Sequence, residues 1–261
     1  MKKQRIWIVL SLLTLALLLA ACAGQETGTL TFQANGEDFV RQGFETKDGW
    51  QVTFDQVLVT LDNVTAYQTD PPYDPLSGEA IEAQSEVALG GPYTVDLAQG
   101  GADAEPVLVG EVAGAPAGHY NALSWTMAPD ASGDPLVMSG SAEKDGRVVH
   151  FTIDVDKDFA FTCGEYVGDM RKGVLAKDGS SDLEMTFHFD HIFGDAGMPA
   201  NDDLNLGALG FDPFAAVAQG DVLNVTLSEL QDALPAEDFQ KLVDVLPTLG
   251  HVGEGHCHYA S

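Results

Sequence analysis

The sequence predicts a mainly β fold, an antiparallel β-sandwich with a small helical appendix near its C-terminus. Three observations carry this. Short runs rich in Val, Phe, Thr and Tyr follow one another from residue 29 onward, separated by Gly- and Pro-rich clusters. Several of them alternate apolar and polar residues, the period of a strand with one buried face. Late in the chain the spacing becomes helical. Strands recurring at short intervals argue for antiparallel sheets packed face to face rather than alternating β and α layers.

The chain opens on a basic segment, Lys2, Lys3 and Arg5, followed by the apolar run "IWIVLSLLTLALLLA". That is the layout of a signal peptide over residues 1–21. The run ends in Leu19-Ala20-Ala21-Cys22, which resembles a bacterial lipobox, so Cys22 is the expected lipidation site. Several acyl chains on that residue would hold the mature protein on a membrane. No later segment approaches the 18 apolar residues of a spanning helix, so the expectation is anchored, not spanning. Residues 22–28 read as the lipidated Cys and a short tether.

A β-sandwich domain is expected over residues 29–198. "TLTFQA" alternates. In "WQVTFDQVLVTLDNVTAY" the residues Trp50, Val52 and Phe54 share one face, then Val57, Val59 and Leu61 do. The parity changes around Asp55-Gln56, the mark of a bulge or turn. "DPPYDPLSGEA" is a loop by composition. "PYTVDLA", "PVLVGEV", "HYNALSWTM", "PLVMSGSAE" and "RVVHFTIDVD" follow as short strands.

Residues 199–261 are expected as a helical appendix with a His/Cys tail packed on the sandwich. Leu227, Leu230 and Leu234 have helical spacing, and so do Phe239, Leu242, Val243 and Leu246. Thr226 and Glu229 fit a capping box. Pro235 separates two helices and Pro247 ends the second.

The order "VTFDQVLVTLDNVTAY", "YTVDLAQGG", "PVLVGEVAGAPAGHYNALSWTM" is similar to that of a bacterial lipoprotein family defined by a domain of unknown function. The resemblance covers roughly residues 29–160. It implies a transthyretin-like or carboxypeptidase-regulatory-like sandwich, immunoglobulin-like in its layering, and an envelope location. It implies no catalytic residues.

Charge excludes one class of partner. The chain carries 12 basic and 40 acidic residues, and loss of residues 1–21 removes three basic residues and no acid, leaving a net charge of −31. With no basic patch to neutralise phosphates, nucleic acid is excluded. An acidic surface attracts cations and is also the surface of a protein from a saline habitat. Enzyme chemistry finds no support, because G-x-S-x-G, H-E-x-x-H, phosphate-loop and dinucleotide motifs are all absent.

With Cys22 assigned to lipid, Cys163 and Cys257 remain as a pair. In an oxidising compartment a disulfide is the default; free thiols or a thiolate metal site are the alternatives. The histidines carry the functional expectation. "TFHFDHIFGD" places His188, Asp190 and His191 within four positions, and the C-terminal "GHVGEGHCHYAS" adds His251, His256 and His258. If the strand carrying His150 paired with the strand carrying His188, imidazoles and a carboxylate would converge as ligands for copper or zinc. A Cys163–Cys257 bridge would bring the tail to the same place. The expectation is therefore a lipid-anchored metal-binding protein of the envelope, outer membrane or periplasm in a two-membrane cell, not an enzyme. The alternative is an adhesion or structural module without metal. "DVDKDFAFTCGE" has carboxylates at EF-hand spacing, but Phe159 stands where that loop requires Gly.

Overall fold

The computed structural model describes residues 26–131 and 133–260. The expected signal peptide, Cys22 and most of the tether lie outside the described residues. In chain order the elements begin with β1 (Thr27–Asn35), the short helix α1 (Glu37–Gln42), β2 (Phe44–Glu45) and the long β3 (Gln51–Thr69). Then come β4 (Ala83–Gly90), β5 (Tyr93–Asp96), β6 (Val107–Pro116), β7 (Gly118–His119) and β8 (Ala122–Met127). The hairpin β9 (Leu136–Lys144) and β10 (Arg147–Val155) is followed by β11 (Phe159–Cys163), β12 (Val174–Leu175) and β13 (Ser180–Phe187). Three short helices come next: α2 (Asp190–Phe193), α3 (Asp203–Gly207) and α4 (Asp212–Val217). The chain closes with β14 (Val222–Thr226), α5 (Leu227–Ala233), α6 (Ala236–Val245), β15 (Gly250–Val252) and β16 (Gly255–Ala260).

Fourteen of these strands form one sheet, in the order β14-β10-β9-β3-β8-β11-β16-β15-β13-β1-β6, with β2, β4 and β5 also pairing on β3. Where two antiparallel sheets were expected, the strands join into a single mixed sheet that curls into a half-barrel. Two of its pairings are parallel, β1 with β13 and β10 with β14. Parallel neighbours need long connections, and these two are the least visible in local sequence.

The curl follows from how the apolar residues are distributed. Leu30, Phe32 and Ala34 of β1 are buried while Thr31 and Gln33 between them are half-exposed, and β9, β10 and β11 alternate likewise. One long sheet with one apolar face can bury it only by bending around it. The rings show the closure. Trp125 of β8 meets Phe187 of β13 with centroids 6.1 Å apart, and Phe54 of β3 meets Phe189 at 6.1 Å, although neither pair lies on neighbouring strands. Phe193, Phe211 and Phe214 fill the space between the sheet and its short helices.

The parity change in β3 is a bulge, with the register to β9 shifting between Phe54 and Gln56. The capping box at Thr226 and Glu229 is present at the start of α5. The tail differs from expectation in kind: it is not packed against the sheet but belongs to it. β15 pairs with β13, and β16 lies between β15 and β11. Cys163 and Cys257 are directly opposite on β11 and β16 and form a disulfide, with Cα atoms 4.2 Å apart. Among the described residues no helix is long and apolar enough to cross a membrane.

A four-histidine cluster as candidate metal centre

β13 leaves the sheet at "FHFDHIF". His188 still donates its backbone N–H to the carbonyl of Leu249, at 3.1 Å, and the chain then turns into one helical turn, α2. Gly194, at φ 69°, closes the turn by donating its N–H to the carbonyl of Asp190. The turn places His188 and His191 three residues apart on the same side, with Asp190 between them. A ligand atom of each of His188, Asp190 and His191 lies within 4.8 Å of the other two.

β15 and β16 bring two more imidazoles. Thr186 of β13 pairs with His251, and His251 pairs with His256, so these residues and His188 share the outer face of the sheet. Ring centroids are 4.2 Å apart for His188 and His251, 5.1 Å for His191 and His251, 5.6 Å for His188 and His191, and 4.8 Å for His251 and His256. Two glycines make this approach possible. Gly250 lies under the Phe161 ring, where a Cβ would come within 2.5 Å of a ring carbon. Gly253, at φ 59°, opens the two-residue turn between β15 and β16 and has no room for a Cβ against the carbonyl of Val167.

Hydrogen bonds assign the ring nitrogens. The Nε2 of His188 lies 3.3 Å from the carbonyl of Gly253, and the Nε2 of His251 lies 3.0 Å from the carbonyl of Thr248. Carbonyls only accept, so both Nε2 atoms carry hydrogen and donate. The hydroxyl of Thr248 donates to the carbonyl of Val245, and its oxygen is therefore the acceptor for the Nδ1 of His191, 2.8 Å away. In its neutral form each ring would commit one N–H to the protein and keep one lone pair: Nδ1 of His188, Nε2 of His191 and Nδ1 of His251. The Nδ1 of His251 and the Oδ1 of Asp190 are buried with no hydrogen-bond partner. Metal-binding histidines have this arrangement, one nitrogen held by the protein so that the other is aimed.

Burial, with the neighbouring imidazoles of His188 and His256, pushes His191 down to about 4 and His251 down to about 3, so both rings are neutral at physiological pH. Burial raises the carboxyls of Asp190 and Glu37, an effect opposed in each by the nearby His188. Two clefts flank the cluster. One of about 780 Å3 opens between α3 and α6, lined by Leu204, Leu206, Lys241 and Val245, and reaches His191 and His256. A smaller one of about 330 Å3 is lined by Glu37, Tyr166, Thr186 and Glu254.

Comparison with protein-family models, curated proteins and solved structures finds no match. The reading of the site therefore stands on its chemistry.

Of the expected ligands, His188, Asp190, His191, His251 and His256 come together. His150 does not. It is exposed on β10, paired with Ser141 and Val222, and β9, β3, β8, β11, β16 and β15 stand between β10 and β13. The pairing that would have joined the two strands is replaced by the parallel addition of β14. His258 lies two residues beyond His256 on the outer face, beside Tyr67, Tyr73 and Thr162 in a separate pocket. Glu37 was missed. Its carboxylate lies 3.5 Å from the Nδ1 of His188. Its only local mark is position, two residues after Asn35 at the end of a strand, and nothing in sequence puts β1 beside β13.

Proposed function

We propose that this chain is a lipid-anchored, extracytoplasmic envelope protein that binds copper or zinc through His188, Asp190 and His191, with His251 beside them. The observation that carries the proposal is the set of committed ring nitrogens around an unpartnered carboxylate oxygen. Three imidazoles have their donors tied to Gly253, Thr248 and, again, Thr248, and their lone pairs left over. Packing alone gives no reason to bury Asp190 Oδ1 and His251 Nδ1 without partners, because such groups cost about 1–3 kcal/mol each. A metal ion held by His188, Asp190 and His191 would satisfy the carboxylate oxygen. His256 is exposed and borders the larger cleft, so an ion arriving from solvent meets it first.

The acidic surface supports the same reading by concentrating cations around the molecule. The anchor rests on Leu19-Ala20-Ala21-Cys22, and the oxidised Cys163–Cys257 pair suits an extracytoplasmic setting. The resemblance to lipoproteins of the sandwich type belongs to the same proposal, as does an outer-membrane or periplasmic location. The role is binding, not catalysis.

The test is direct. Full-length protein purified in detergent is incubated with copper or zinc, desalted and assayed for retained metal, beside His188→Ala and His191→Ala. Near-stoichiometric retention lost in both variants supports the site. Retention that is negligible, or unchanged in the variants, removes it and leaves an envelope module without metal. Separately, Cys22→Ala should move the protein out of the detergent phase; unchanged partitioning refutes the anchor.

A further inference from the structure

We propose that Glu37 is a further ligand of the ion held at His188. The site would then offer two carboxylates beside its imidazoles and take a divalent ion, Cu(II) or Zn(II), in preference to Cu(I). This rests on the metal reading of the cluster and adds to it both a ligand and the class of ion.

Glu37 and His188 bring two acceptor atoms face to face. The Nε2 of His188 donates to the carbonyl of Gly253, so in the neutral ring Nδ1 is the lone-pair nitrogen. That nitrogen faces Oε2 of Glu37 at 3.5 Å. Two electron-rich atoms at this separation require a cation between or beside them, either a proton or a metal. Nitrogen and oxygen ligands of one zinc ion, each about 2.0–2.2 Å from it, lie at a comparable distance from one another.

The backbone has been shaped to hold Glu37 there. Its φ is 58°, the left-handed region that a residue with a Cβ avoids. Asn35 fixes it: its Oδ1 accepts the Glu37 N–H at 3.0 Å, while its Nδ2 donates to Glu184 at 3.1 Å. A strained residue held by a side-chain bracket points to a requirement at the site rather than to packing. Glu184, the neighbouring acid, is answered by Lys172 at 2.7 Å. Glu37 faces the imidazole of His188 instead, with Glu254, Asp190 and Glu184 crowding it with like charge. This concentration of negative charge is where an ion of charge two is favoured over one of charge one.

The donor set gives the same answer. Cu(I) is selected by thiolate and thioether sulfur, whereas zinc takes imidazole and carboxylate together and Cu(II) takes mixed nitrogen and oxygen donors. The sulfur nearest in sequence to the histidines, on Cys257, is in the disulfide and points to the opposite face of β16 from His256.

The experiment loads full-length protein and its Glu37→Gln and Glu37→Asp variants separately with Cu(II), Zn(II) and Cu(I). Affinities are read by chelator competition and the Cu(II) forms by electron paramagnetic resonance. Thermal melts in chelator confirm that each variant is folded. The expected result is a loss of roughly tenfold or more in Cu(II) and Zn(II) affinity for Glu37→Gln. A changed copper hyperfine splitting, partial recovery in Glu37→Asp and little change for Cu(I) should accompany it. Identical spectra and affinities in wild type and Glu37→Gln would overturn the proposal and leave Glu37 as the counter-ion of a protonated His188. Wild type that prefers Cu(I) would overturn the assignment of ion class. If wild type retains none of the three ions, the metal reading falls and this proposal with it.

Discussion

His251 and His256 stand directly opposite each other on β15 and β16, their ring centroids 4.8 Å apart. The pairing depends on a turn of two residues, Gly253 and Glu254, in which Gly253 adopts φ 59° and packs its α-carbon against the backbone of Val167. That turn is where the cluster is most easily broken without touching a ligand.

Gly253→Ala should therefore disturb the site from outside it. The new methyl group is strained by the backbone and has no space beside the Val167 carbonyl. A cost of about 1–3 kcal/mol is expected from the strain, read as a lower midpoint in chemical denaturation. Retained metal should fall as well, since the same residue's carbonyl orients His188.

Thr248→Val tests the aiming of His191. The substitution keeps the shape and removes the oxygen that accepts from Nδ1, while the backbone carbonyl that holds His251 stays. Metal affinity should drop by roughly 10–100-fold, and the metal-free protein should melt somewhat lower, because the His191 N–H and the Val245 carbonyl lose their partner. An unchanged affinity would show that His191 is not held for a ligand role.

Metal-free protein should lose stability as pH falls from about 6.5 toward 4 and then 3. The sign follows from His191 and His251, whose values are lowered to about 4 and about 3 by burial. Below 6.5 the unfolded chain takes up protons that the folded chain refuses, which favours unfolding. Glu37 and Asp190, raised by burial, act in the opposite sense and offset part of the loss. Denaturant midpoints measured in chelator between pH 7.5 and 4 read the slope; in a His251→Gln variant the slope should be shallower.

Cys163→Ser should destabilise by about 4.6 kcal/mol in the chain-entropy model, because the bond closes a separation of 94 residues. The comparison is denaturation of wild type and variant under non-reducing conditions. Because β16 carries His256, metal retention should weaken in step.

Much of this was readable from the residues. The bulge near Asp55 showed as a change in parity, and the capping box at Thr226 and Glu229 as a four-residue pattern, since both are set by neighbours along the chain. His188, Asp190 and His191 were legible for the same reason. Pairing between distant strands was not. His150 was expected beside His188, yet β14 takes the open edge of β10, a parallel addition with no turn signal to announce it. Glu37 was invisible because its place depends on β1 lying parallel to β13, 149 residues on at the Asn35–Glu184 contact. The helix containing His191 is not legible in the sequence, because a single turn is too short to show a 3.6-residue period.

The bridge between Cys163 and Cys257 has a consequence beyond its effect on stability. Side chains on β16 alternate, with Cys257 facing the core and His256 and His258 facing out. A slip of one residue against β11 would turn His256 inward, and a slip of two would carry it about 6.6 Å past His251. The two-residue turn through Gly253 and the packing of Tyr259 on Phe159 and Phe161 oppose either slip, and the covalent bond forbids both. The covalent bond acts as an alignment pin. Oxidation thus locks the register that sets His256 opposite His251, and on the metal-binding proposal the thiols would close before an ion is held.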